Sequence, residues 1–239
     1  MDKHNQQHYV SAIVLAAGKG TRMNAGINKQ FLTLKGKPIL AHTLEAFEQV
    51  AAVKEIIAVI SKDEYAMFDK RILKKYRFTK VRAVPGGKER QESAYRGLLA
   101  VNPDCDMVMF HDGARPLIDQ KTILKSIEET KVHHATVVAV PAKNTIKVID
   151  RHGVVSYTPD RRTLVEVQTP QTFDYDLILK AYRTAIAEDA PATDDATLVE
   201  RIGHPVTIVS GHYNNLKITT AEDLMTASAI IGLKRQKSR

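Results

Sequence analysis

The chain alternates short, continuously apolar runs with longer stretches in which apolar residues recur every three or four positions. The runs at 10–16 (VSAIVLA), 55–60 (EIIAVI), 107–110 (MVMF) and 136–140 (TVVAV) predict strands buried on both faces. Shorter runs at 81–84 and 206–209 add two more. The periodic stretches predict helices over 38–47, 63–76, 88–100, 119–130, 174–188, 194–202 and 221–231. Pro38 suits a first helical turn, Asp119 suits an N-cap, and Ala94, Leu98 and Leu99 are expected on one buried face. Strands alternating with helices imply an α/β fold, a mostly parallel sheet flanked by helices. One stretch breaks the rhythm. Residues 145–149 (TIKVI) and 154–157 (VVSY), separated by DRHG, predict a hairpin. It reads as a β-arm of about 143–161 projecting from a single domain of 1–239.

Composition narrows the function. Of 239 residues, 44% are hydrophobic and 26% charged, ordinary values for a chain with a packed core. No apolar run approaches the ~18 residues of a membrane span, and the polar start has no secretory signal. Cys105 is the only cysteine, which points to the cytoplasm. The net charge is +8, yet Lys234, Arg235, Lys237 and Arg239 supply half of that excess near the C-terminus. The remainder suits small polyanions, and no zinc-finger spacing or RNA-binding aromatic motif argues for nucleic acid. The chain's end at Arg239 predicts no fused second enzyme.

Chemistry-bearing residues cluster where predicted strands end, the ligand side of a doubly wound sheet. The first loop reads Leu15-Ala16-Ala17-Gly18-Lys19-Gly20-Thr21-Arg22. Gly18 and Gly20 let backbone N–H groups approach phosphate oxygens, and Arg22 adds a guanidinium fork. Met23 stands where a dinucleotide fingerprint needs its last glycine, and a plain strand-to-helix turn would also accept Gly-Lys-Gly. Next come Asn28-Lys29-Gln30-Phe31, then Gly86-Gly87-Lys88-Glu89-Arg90 running to Ser93. His111-Asp112-Gly113-Ala114-Arg115-Pro116 follows another strand. There a buried Asp–Arg pair that props a loop competes evenly with a functional role. Thr193 fits a helix cap and Lys217 a surface position as readily as a site. The nine histidines form no metal-ligand pattern, and His133-His134 reads as a helix end.

Taken in order, LAAGKGTRM, NKQF, GGKERQES, HDGARP, NTIK, VQTPQTF, TDDATLVE and NNLKIT resemble the 2-C-methyl-D-erythritol 4-phosphate cytidylyltransferase family over residues 10–231. The resemblance implies CMP transfer from CTP to a polyol phosphate, with release of pyrophosphate, in non-mevalonate isoprenoid synthesis. It implies that Ala16, Ala17, Gly18 and Gly20 cradle CTP, with Arg22 and Lys29 on its phosphates. Gly87 and Ser93 would contact the cytidine. Asp112 and Arg115 would stand near the ribose and the acceptor. Thr145 and Arg161 would arrive on the arm of a second copy in a homodimer. Thr169, Thr193 and Lys217 would complete the pocket, and Mg²⁺ would ride on the triphosphate. The chain departs from the family at Lys88, where an acidic residue is common, at Asn28, where proline is frequent, and at Pro159 in the arm.

The chemistry needs no general base, because a phosphate monoester with its second pKa near ~6 is already largely dianionic at neutral pH. The obstacle is the approach of one anion to another, so catalysis should rest on positioning and on cations such as Arg22, Lys29 and Lys217. Ribitol 5-phosphate cytidyl transfer is the nearest alternative. A non-catalytic nucleotide-binding module and a dehydrogenase are more distant ones.

Overall fold

The computed structural model describes residues 8–18 and 28–237, with side chains as far as residue 233. Gly20 and Arg22 lie outside the described residues.

The sheet grows outward from β1 (Val10–Leu15). It runs parallel to β4 (Val53–Ile60) on one side and β6 (Met107–Asp112) on the other. Helices on both faces make the run at 10–14 apolar except for Ser11, which is buried and donates to Glu55. Ala12 and Val14 face one core together with Met107 and Met109. Ile13, Val108 and Phe110 face the other, as the two-residue period of a strand requires. β5 (Val81–Pro85) extends the sheet beyond β4.

Beyond β6 lies β10 (Val165–Asp174), antiparallel to both β6 and β7 (Ala135–Pro141). β11 (Thr207–Ser210) closes that side in parallel with β7. The order is β11-β7-β10-β6-β1-β4-β5. The sheet is thus mostly parallel, with β10 the reversed strand. Nothing in the periodicity predicts β10, because its inward positions are polar: Gln168, Thr169, Gln171 and Thr172 are all buried. Its pairing with β7 slips between Val167 and Gln171. Such irregularities re-aim side chains, and here they fall on Gln168 and Thr169.

One face is covered by α1 (Ile39–Glu48), α5 (Gln120–His133) and the 65–76 stretch. The other is covered by α4 (Arg90–Leu99), α6 (Tyr175–Ala187) and α7 (Asp195–Arg201). The 65–76 stretch is α2 (Tyr65–Phe68), a π-helical turn and α3 (Lys74–Tyr76) rather than one continuous helix. A two-stranded ribbon, β2 (Thr33–Leu34) and β3 (Lys37–Pro38), packs near α8 (Ala221–Lys237). Among the described residues no helix is long and apolar enough to cross a membrane.

Two local expectations are corrected. Leu99 points outward, 54% exposed, and the buried face of α4 is Ala94, Gly97 and Leu98. The cap of α7 is Asp194, whose carboxylate accepts the Thr197 N–H at 3.0 Å, not Thr193. Asp119 does cap α5, accepting from Thr122 N–H, and His134 ends that helix in a left-handed conformation.

The hairpin forms, but with less pairing than its sequence implies: β8 (Val148–Ile149) against β9 (Val155–Tyr157). Asp150 Oδ1 accepts the N–H groups of His152 and Val154 across the turn. Gly153 takes φ +80°, which favours glycine.

Candidate active site

Two adjoining clefts open at the carboxyl ends of β1, β5 and β6. The first, of about 260 Å³, is lined by Ala17 and Gly18 from the loop after β1, by Lys29, by Gly87 and Ser93, and by Asp112 and Lys217. The backbone explains how they converge. Ala16 N–H donates to the Val59 carbonyl at 2.9 Å, prolonging the β1–β4 ladder by one residue. Ala16 is therefore buried behind the cleft wall, and Ala17 is the first residue of the loop to reach the cleft. Gly86 lets the next loop close on it, since a Cβ at Gly86 would stand 2.3 Å from that of Ala17. Gly87 N–H donates to Ser93 Oγ at 3.0 Å. Ser93 accepts that proton and so keeps its own hydroxyl proton for another partner.

Asn28, one of the departures from the family pattern, contributes more than a stiff loop. Its side-chain amide donates to the Gly18 carbonyl at 2.7 Å and to Glu64 Oε2 at 3.1 Å. It ties the loop after β1 to the turn that carries Lys29. The other departures are less telling. The Lys88 N–H donates to Glu92 Oε2 at 2.7 Å, and the Lys88 side chain belongs to the cleft lining.

The second cleft shares Arg90, Asp112 and Lys217 with the first and adds Arg115, Thr169 and Thr193. Asp112 Oδ2 meets Lys217 Nζ at 3.0 Å and Arg115 Nε at 3.3 Å. Burial alone would push the Asp112 carboxyl up. Lys217 first, then Arg115 and Arg90, outweigh it and hold the group near 2. Burial lowers Arg115, partly offset by Asp112. Arg115 Nη1 also donates to the Asn215 carbonyl at 2.8 Å, and the Asn215 amide donates to the Thr169 carbonyl at 2.8 Å. The competing readings of the Asp112–Arg115 pair thus merge: it props the loop, and it lines the cleft.

Arg90 is the residue that sequence reasoning missed. It lay inside the quoted GGKERQES segment but read as part of a helix start. In the structure it lines both clefts and is gripped by Asp195, Nη1 to Oδ1 at 3.2 Å and Nη2 to Oδ2 at 2.6 Å. Burial opposes the Arg90 charge, but Asp195 more than compensates and holds the guanidinium protonated above the usual arginine range. Asp195 is fully buried; Tyr182 donates its O–H to Oδ1, and the Asp195 N–H donates to Gln171 Oε1 at 3.0 Å. The available signal was two acidic residues opening a helix, with nothing to say that their partner stood 105 positions away.

Of the assigned residues, Ala17, Gly18, Lys29, Gly87, Ser93, Asp112, Arg115, Thr169, Thr193 and Lys217 line the two clefts. Ala16 stands just behind them. Thr145 and Arg161 do not line either cleft of their own chain. Both are exposed on the arm, where Arg161 Nη1 donates to the Lys143 carbonyl at 3.0 Å. Among the described residues no group of three or more His, Cys, Asp or Glu side chains is placed to hold a metal ion.

Comparison with known proteins finds relatives over nearly the whole chain. The family model for 2-C-methyl-D-erythritol 4-phosphate cytidylyltransferase matches residues 10–233. A protein of that name from Alkaliphilus oremlandii is 48% identical, over 95% of this chain and 96% of its own. One from Clostridioides difficile is 46% identical over 95% of each. The crystal structure of 4-diphosphocytidyl-2C-methyl-D-erythritol synthase from Anaerococcus prevotii superposes with a TM-score of 0.85 at 36% identity, covering 95% of this chain and all of that one. The cytidylyltransferase from Thermus thermophilus gives 0.77 at 29% identity, covering 93% and 98%.

Proposed function

The chain belongs to the 2-C-methyl-D-erythritol 4-phosphate cytidylyltransferase family and is a nucleotidyltransferase; from that premise we propose how its clefts transfer CMP from CTP to 2-C-methyl-D-erythritol 4-phosphate. The observation that carries the reading is the shared edge: Arg90, Asp112 and Lys217 belong to both clefts, so a nucleotide in one and a polyol phosphate in the other meet over the same two cations, Arg90 and Lys217, with Asp112 between the clefts.

CTP occupies the first cleft. Its phosphates lie along the loop of Ala17 and Gly18, with Lys29 beside them. The cytosine reaches Ser93, whose hydroxyl proton is available for a base carbonyl. Mg²⁺ would come bound to the triphosphate. Asp112 already serves Lys217 and Arg115, so phosphate oxygens rather than a protein cluster would hold the ion. When bound, the ion neutralises charge on the phosphates. The acceptor occupies the second cleft, where Arg115, Thr169, Thr193 and Lys217 surround it. Its phosphate is already a nucleophile, so these residues hold and orient it. Lys29, Arg22 and Lys217 stabilise the charge that builds at the α-phosphate.

The enzyme works as a homodimer in the cytoplasm. Thr145 and Arg161 stand on an arm whose apolar side chains are exposed: Ile149, Val154, Val155 and Tyr157. A lone two-stranded hairpin is marginal in water. Laid on a second copy, it would bring the partner subunit's Arg161 to the acceptor phosphate. Incubating the protein with CTP and, in turn, 2-C-methyl-D-erythritol 4-phosphate and ribitol 5-phosphate tests the reading through pyrophosphate release. Turnover with ribitol 5-phosphate alone would overturn it.

A further inference from the structure

His111 is fully buried at the end of β6 and has no part in the transfer as derived above. Both of its ring nitrogens are bonded. Nε2 lies 3.2 Å from the Arg115 carbonyl oxygen, and Nδ1 lies 3.0 Å from Thr169 Oγ1. A carbonyl oxygen only accepts, so Nε2 carries a proton. Burial pushes the imidazole down to about 4, so the ring is neutral and Nδ1 is bare. The Thr169 hydroxyl must then give its proton to Nδ1. In turn, Thr169 Oγ1 accepts the Asp112 N–H at 3.1 Å. A hydroxyl has one proton and two lone pairs. The proton and one lone pair are committed inside the protein, which leaves one lone pair for the cleft that Thr169 lines.

We infer that His111 is a positioning residue that fixes the polarity of Thr169, so that Thr169 accepts a hydrogen bond from a hydroxyl of the acceptor and donates none to its phosphate. The inference rests on the reading that the second cleft binds a polyol phosphate. Its consequence is directional. Phosphate oxygens carry lone pairs and no proton at neutral pH, so they are repelled from Thr169 and drawn to Arg115 and Lys217. A hydroxyl of the polyol is favoured at Thr169. One chain of bonds, Asp112 N–H to Thr169 to His111 to the Arg115 carbonyl, therefore sets which end of the acceptor sits where. The same chain locks the Asp112 and Arg115 loop to β10.

The test uses acceptors in which each hydroxyl in turn is replaced by hydrogen or by fluorine, which can accept weakly but cannot donate. In the wild-type enzyme, at one position, both replacements should lower kcat/KM about tenfold, in line with the loss of one net hydrogen bond. Thr169→Val should erase that discrimination and Thr169→Ser should keep it, with the KM for CTP unchanged in both. His111→Asn can present its amide oxygen near the Nδ1 position and should keep the wild-type pattern. His111→Gln can still reach the Arg115 carbonyl but leaves the Thr169 proton without an acceptor. There the fluoro analogue should regain rate over the deoxy analogue. If a His111 variant does not fold, the Thr169 pair decides alone. The inference is overturned if fluorine substitutes for every hydroxyl without loss in the wild-type enzyme, or if Thr169→Val leaves the discrimination intact. Absence of pyrophosphate release with any polyol phosphate would instead sink the functional reading beneath it.

Discussion

In the cleft, Asp112 meets Lys217 and Arg115 within 3.3 Å, and Arg90 is gripped by a fully buried Asp195. On the arm, Ile149, Val154 and Tyr157 are 59%, 62% and 60% exposed, and the arm's two strands are two and three residues long. The cleft is held by its own chain: Asp112, Arg115, Lys217 and Arg90 each have an opposite charge to fix them before a ligand arrives. The arm has apolar surface and no core of its own. On the proposed reading, the difference means that nucleotide binding is organised within one chain, whereas the part of the acceptor site assigned to Thr145 and Arg161 would need a second copy to place it.

The sharpest way to separate the two regions is Lys29→Ala. Losing a cation that acts on developing charge should lower kcat by about 10²–10³, with the dimer intact. Steady-state kinetics check this, and a change confined to KM would mean that Lys29 contributes only uniform binding. Asp195→Ala should cost about 3 kcal/mol of stability, the low end for breaking a buried pair because Arg90 keeps some access to solvent. Urea denaturation measures it. Little loss would mean that the Arg90–Asp195 grip does not organise the cleft.

The buried histidine gives a pH signature confined to the cleft. His111 is held at about 4 against an ordinary 6.5, so the unfolded chain binds its proton more readily. Stability is therefore full above pH 6.5 and falls as pH drops, by up to about 1.4 kcal/mol per pH unit from this group, levelling near pH 4. Below that, Asp112, held near 2 against 3.8, extends the loss. Denaturation midpoints at pH 7 and 5 should differ in the wild type and converge in His111→Asn; an unchanged difference in the variant would remove His111 as the cause. The smallest effect belongs to the arm. Tyr157→Ser should weaken self-association by about tenfold, since a buried large side chain contributes ~1.5–3 kcal/mol, and should raise the KM for the acceptor but not for CTP. Analytical ultracentrifugation reads the first effect. Unaltered association would leave Tyr157 outside the interface.

The comparison also shows where sequence was legible. The runs in β1, β4, β6 and β7 announced themselves because both faces of those strands are largely buried, so most of their positions are apolar. β10 carries the same burden with glutamines and threonines, satisfied by neighbours such as His111, Asp194 and Ser126. No periodicity marks such a strand. Most of the cleft residues could be named because their segments, taken in order, resemble a known family. Arg90 could not, since what makes it part of the site is Asp195 on a distant helix. The cap of α7 was misplaced by one residue because Thr193 and Asp194 are both good caps, and only geometry chooses between them.

The central claim is that each acceptor site needs two chains, and subunit mixing tests it most directly. Lys29→Ala and Arg161→Ala, each inactive alone, are mixed under conditions shown to exchange subunits. With random two-fold pairing, half the dimers are mixed, and each has one intact site and one doubly defective site. Activity should recover to roughly a quarter of wild type. If exchange is confirmed and activity stays at the level of the separate variants, Arg161 serves its own chain and the shared site is wrong.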